Sequence, residues 1–125
     1  MLGQPTIEDA QTAISLERQR QITQEGWHPE HDDAWVHGEL LNAALCYSHH
    51  DMDSAEAGSS GKPPSRWPFD PAWWKPKDRH RNLVRAGALC LAEKERCERA
   101  RLPTGEADRE LDRIVREIAA RGGAT

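Results

Sequence analysis

Apolar residues recur along this chain at helical rather than strand spacing. Ile7, Ala10 and Ile14 form the first stripe, and Thr6 with Asp9 three residues on offers a capping pair ahead of it. The same step carries the stripe on to Glu17, Gln21 and Glu25, with Arg18 alongside, so a face that begins apolar ends as a polar row. Charge on an inward face is costly unless paired. The row is therefore expected either to leave the bundle as a solvated helix tip or to line a polar pocket. Gly26 is the natural stop. Trp27 to Asp33 reads as a tight loop, and Asp32 or Asp33 as the cap of a second helix running to about Ser48. Its apolar arc is Val36, Leu40, Ala43, Ala44 and Tyr47, with Glu39 at the edge and His37 away from it.

A third helix is predicted from the cap Asp78 to about Arg99. Leu83, Val84, Gly87, Ala88, Cys90 and Leu91 give it an arc wide enough for more than one neighbour, with Gly87 and Ala88 permitting close approach. Pro103 and Thr104 mark a turn and a cap. The last helix, roughly Gly105 to Arg121, buries Leu111, Ile114, Val115 and Ile118. It carries Glu110–Arg113 and Asp112–Arg116 pairs on its other face and stops at Gly122-Gly123. No useful β-alternation occurs. The pattern predicts an all-α protein: one domain over residues 1–125, with four main helices in a compact bundle. The Gly/Ser/Pro-rich stretch 49–66 is read as a long mobile loop within it.

Composition narrows the function. With 125 residues and mean hydropathy −0.85, the core must be drawn from Leu, Ile, Val, Ala and Trp, since Phe and Tyr occur once each. A net charge of −4 argues against general binding to duplex DNA, which wants a basic face. Three cysteines, Cys46, Cys90 and Cys97, in helical contexts and without a CxxC pair, read as reduced thiols of a cytoplasmic protein. No apolar run reaches the roughly 18 residues of a membrane span. The first ten residues lack the basic-then-apolar pattern of a signal peptide.

The densest chemistry lies in WPFDPAWWKPKDRHRNLVR, Trp67 to Arg85, which holds three of the five tryptophans and three of the eight prolines beside a Lys/Arg/His cluster. Asp70-Pro71 is expected to open a single turn carrying Trp73 and Trp74, and Pro76 to break it. Flat aromatic faces and basic groups then sit just ahead of a helix N-terminus, which favours anions. A second group, His28, His31, Asp32, Asp33, His37 and Glu39, contains metal-ligand types. A His-Asp phosphohydrolase lacks its upstream histidine here. An all-α nucleoside triphosphate pyrophosphohydrolase would draw on Glu17, Glu25 and Glu39 to hold Mg²⁺ or Mn²⁺, but the second helix has no Glu-x-x-Glu and the third offers Arg81 and Arg85 instead of acids. Cys46 and Cys90 sit on or near apolar arcs and look like core residues, so no catalytic or metal residue and no cofactor is assigned.

Two segments carry a resemblance. ERQRQITQEGWHPEHDD, Glu17 to Asp33, with Gly38-Glu39-Leu40 and Ala43-Ala44, and WPFDPAWWKPKDRHRNLVRAGALCLAEKER, Trp67 to Arg96, resemble the two halves of a group of small phage and prophage proteins. The resemblance implies a phage setting in a host cytoplasm and accessory roles such as interference with host defence; it carries no activity.

Three functions are expected from these readings. The first is an accessory protein binding a nucleotide or other phosphorylated small molecule, and so sequestering a host immune signal. Its site would comprise Trp27 and Trp74 as stacking faces, Lys75 and Arg81 as phosphate partners, and Glu17, Arg18, His31, Asp32 and Asp33 as polar contacts. The second is an interaction module inhibiting a host defence enzyme, with the charged last helix available for self-association. The third is the metal-dependent hydrolase. The first of these requires the distant polar and indole groups to meet in one hollow.

Overall fold

The computed structural model describes residues 6–26, 28–49 and 62–122. Among them every regular element is helical: α1 (Ile7–Glu25), α2 (Pro29–Asp32), α3 (Glu39–Ser48), a 3-10 turn (Pro71–Trp73), α4 (Arg79–Ala100) and α5 (Gly105–Gly122). The all-α architecture with four main helices follows the sequence pattern. Of the stretch 49–66, residues 50–61 lie outside the described residues.

The caps explain most of the boundaries. Thr6 Oγ1 accepts from the Asp9 N–H at 3.0 Å, while Asp9 accepts from the Thr6 N–H at 2.9 Å, a reciprocal box. Gly26 closes α1 at φ +77°. Asp70 accepts from the Ala72 N–H at 2.8 Å and opens the 3-10 turn; Asp78 accepts from the Arg81 N–H at 2.9 Å and opens α4. One start differs from the pattern. α3 begins at Glu39, because Gly38 takes φ +83°, a left-handed conformation that interrupts any helix entering from the acidic loop. Asp32 and Asp33 therefore cap nothing on α3. Residues Pro29–Asp32 form a separate helical turn with proline at its first position. Val36, ahead of the true start, is exposed rather than part of the apolar arc.

α4 is the hub, packing against α1, α2, α3 and α5. It is buried around almost its whole girth from Asn82 to Glu93, which is what its wide apolar arc requires. Leu40, Ala43, Ala44 and Tyr47 from α3, Ala10 and Ile14 from α1, and Ile114, Val115 and Ile118 from α5 close on it. Gly87 is where α1 comes nearest: a Cβ there would lie 2.5 Å from Ile14 Cδ1 and 2.7 Å from its Cγ1. Gly87→Ala is therefore expected to destabilise by about 1–3 kcal/mol through overpacking, despite alanine's better helix propensity of about 1 kcal/mol. In a double-mutant cycle followed by urea denaturation, Ile14→Ala should absorb part of that cost, making the pair less than additive.

Tyr47 of α3, Trp35 ahead of it and the aromatic residues of the proline-rich stretch form one cluster. Tyr47 stacks on Trp74 at 4.7 Å between centroids, and Trp67 meets both edge-on at 5.5 and 5.0 Å. Phe69 joins Trp67, Trp35 and Trp73 to the same group. The lone Tyr and the lone Phe of the chain are both in the core. No helix among the described residues is long and apolar enough to cross a membrane.

Candidate functional site

The polar row of α1 is buried at Glu17, Arg18 and Gln21 and exposed at Glu25, its tip. Glu17, with its side chain 1% exposed, takes a forked contact from Arg20 (Nε to Oε1 2.9 Å, Nη2 to Oε2 2.7 Å) and a third bond from Arg81 Nη2 to Oε1 at 2.7 Å. Gln21 Nε2 adds a donor at 3.3 Å. Residues 64 positions apart, Glu17 and Arg81, thus meet across the α1–α4 interface. Burial alone would raise the Glu17 carboxyl, but the Arg20 and Arg81 guanidiniums outweigh it and hold the group below its ordinary range. Arg20 reaches on to Glu25, so an ion chain Arg81–Glu17–Arg20–Glu25 runs to the end of α1.

A second set of pairs fastens the acidic loop. Arg18 Nη2 donates to Asp32 Oδ2 at 2.9 Å and to Glu95 Oε1 at 3.0 Å. Arg99 donates to Asp33 Oδ1 at 2.9 Å and to the Pro29 carbonyl at 3.0 Å. Asp32 is fully buried; desolvation pushes its carboxyl up, against the pull of Arg18. These bonds hold residues 28–33 against α1 and α4 and so fix where His31 stands.

Between the anchored loop, the end of α1 and the 3-10 turn lies an open hollow of about 380 Å³. Gln24, Glu25 and Gly26 line it from α1, and His31 and Trp35 from the following segment. Trp73 and Lys75 close it from the proline-rich stretch. Lys75 is placed by its backbone, whose N–H donates to the Tyr47 hydroxyl at 3.1 Å. Both indoles rest on Phe69, Trp35 at 5.0 Å and Trp73 at 5.7 Å, and Trp73 is 48% exposed.

Of the residues expected to form the ligand site, His31 and Lys75 line this hollow. Glu17, Arg18, Asp32, Asp33 and Arg81 are not among its lining residues and are held in ion pairs. Arg81 is held by Glu17 rather than standing open to a phosphate. Trp74 is buried under Tyr47 and Trp67, away from the hollow, and its neighbour Trp73 lines it instead. Trp27 lies outside the described residues. Trp35 and Trp73 were missed as site residues. The only available signal for Trp35 was an indole just after a loop rich in His and Asp. The WW pair by itself does not say which ring faces out.

The acids considered for metal binding are otherwise engaged: Glu17 and Glu25 by Arg20, Asp32 by Arg18, and Glu39 by the His37 N–H at 2.7 Å. Among the described residues no group of three or more His, Cys, Asp or Glu side chains is arranged to hold a metal ion. All three thiols are buried, and desolvation pushes Cys46 up to about 11 and raises Cys90 and Cys97 as well, which removes thiolate character. No protein-family model, curated protein or solved structure matches the chain.

Proposed function

We propose that this protein binds a nucleotide or related planar, phosphorylated small molecule in the hollow at the end of α1, and does so without covalent chemistry. What carries the reading is one juxtaposition: two indoles, Trp35 and Trp73, share a hollow of about 380 Å³ with Lys75 and His31. The volume falls within the range of small-ligand sites. Indole faces supply stacking to any base, and an ammonium supplies a charge-assisted bond to phosphate. The ion pairs around the hollow preorganise it, since Arg18, Arg20 and Arg99 hold the acidic loop and the end of α1 in place. Binding without turnover acts by sequestration, which is the role proposed for a phage accessory protein facing a host signal.

Isothermal titration of the full chain against nucleoside monophosphates and their parent nucleosides tests this. The phosphorylated members should bind more tightly than the nucleosides, and Trp73→Ala should weaken binding by about tenfold or more, the scale of one stacked base. Trp73 is half exposed, so the same variant should change stability by only about 1 kcal/mol or less. A folded protein giving no heat with any ligand would overturn the reading.

A second reading, an interaction module for a host protein, is favoured by a different surface. Ile7, Ile14, Leu91, Leu111 and Val115 line an apolar groove of about 350 Å³ between α1, α4 and α5, with Asp108 and Asp112 at its rim.

A further inference from the structure

We propose that the base this hollow selects is guanine, read by Glu25 with Gln24, with Lys75 on the phosphate. The inference rests on the nucleotide reading above and narrows it. Among the described residues, Glu25 is the one carboxylate lining the hollow. Arg20 holds its Oε2, and Oε1 makes no hydrogen bond among the described residues. An ionised carboxylate accepts and never donates. It therefore favours a base edge made of donors. Guanine presents two adjacent donors, N1–H and the N2 amino group. Adenine and cytosine each present one amino group beside a bare ring nitrogen, whose lone pair would face the carboxylate. Uracil offers a single N–H between two carbonyls. Gln24 also lines the hollow, and a side-chain amide nitrogen is a donor of the kind that guanine O6 accepts. The residues lining the hollow thus include both a donor for O6 and an acceptor for the N1–H and N2 amino group. Trp35 and Trp73 supply the faces, and Lys75 supplies the cation at the edge.

The test is calorimetric titration of the full chain with GMP, IMP and AMP at low salt. IMP lacks only the N2 amino group. GMP is expected to bind about tenfold more tightly than IMP, the discrimination of one well-placed base contact, and AMP to bind at least as weakly as IMP. Glu25→Ala should erase the GMP-to-IMP preference, whereas Lys75→Ala should weaken all three ligands in parallel and leave the preference intact. Thermal melting reports whether each variant is folded; if Glu25→Ala is not, the GMP-to-IMP ratio of the unaltered chain still decides. Equal binding of the three ligands overturns the guanine assignment while the nucleotide reading stands. A preference that survives in folded Glu25→Ala removes Glu25 from the recognition. No binding by any of the three overturns both readings.

Discussion

Trp74→Ala is expected to lower the unfolding free energy by about 3–5 kcal/mol, the cost of truncating a buried indole. Trp74 is 6% exposed, stacked on Tyr47 at 4.7 Å and met edge-on by Trp67 at 5.0 Å. Its removal leaves a void that two rings cannot refill without leaving their own contacts. Equilibrium urea denaturation measures the loss directly. The neighbouring Trp73→Ala makes the contrast, with little change in stability and a clear loss of nucleotide affinity. Two adjacent residues of one type would then have opposite phenotypes. If instead Trp74→Ala were nearly neutral in stability while abolishing binding, the aromatic cluster would have been assigned the wrong role.

The second large effect is at Glu17. Glu17→Ala should cost about 3 kcal/mol, at the lower end for a broken buried ion pair. Arg20 and Arg81 have side chains 30% and 37% exposed, so both stranded guanidiniums regain water in part. The pH dependence gives an independent signature. The Glu17 carboxyl in the folded protein lies below its unfolded value of 4.5. Its contribution is therefore fully present above 4.5 and is lost as the pH falls through the depressed folded value. The stability gap between the unaltered chain and Glu17→Gln should be constant around neutrality and close in acid. Asp32, whose carboxyl is raised by burial, titrates with the opposite sign and favours the folded state as the pH falls. Taking the difference between variant and parent cancels that contribution. A gap that persists unchanged into strong acid would mean that the Arg20–Glu17–Arg81 pairing does not act as a charge interaction.

How far the sequence could be read depended on how local the determinant was. The Thr6/Asp9 box, the Asp70 and Asp78 caps and the Gly26 stop are contacts within a few residues, and each was visible in the order of the residues. The α3 start was misread because Asp32 and Asp33 are good caps by type, and nothing local says that Arg18 and Arg99 claim them first. The polar row on α1 is visible in the sequence, but whether it is a solvated tip or the lining of a polar pocket is not; Glu17 is buried because an arginine 64 positions away arrives to pair with it. In the WWKP segment the sequence supplied aromatic and basic groups in the right neighbourhood. The 3-10 turn then decided which indole points where.

The residue order determined that this chain is helical, where α1 and α4 begin, and that α4 must be enclosed by several neighbours, because periodicity and capping act within a turn or two of the backbone. Only the tertiary structure decided that Glu17 is buried between two arginines, that Trp74 is core while Trp73 is surface, and that Trp35, Trp73, His31, Glu25 and Lys75 share one hollow. Those outcomes turn on charge pairing and ring packing between distant segments, where the free energy of a side chain is set by what the rest of the chain brings to it.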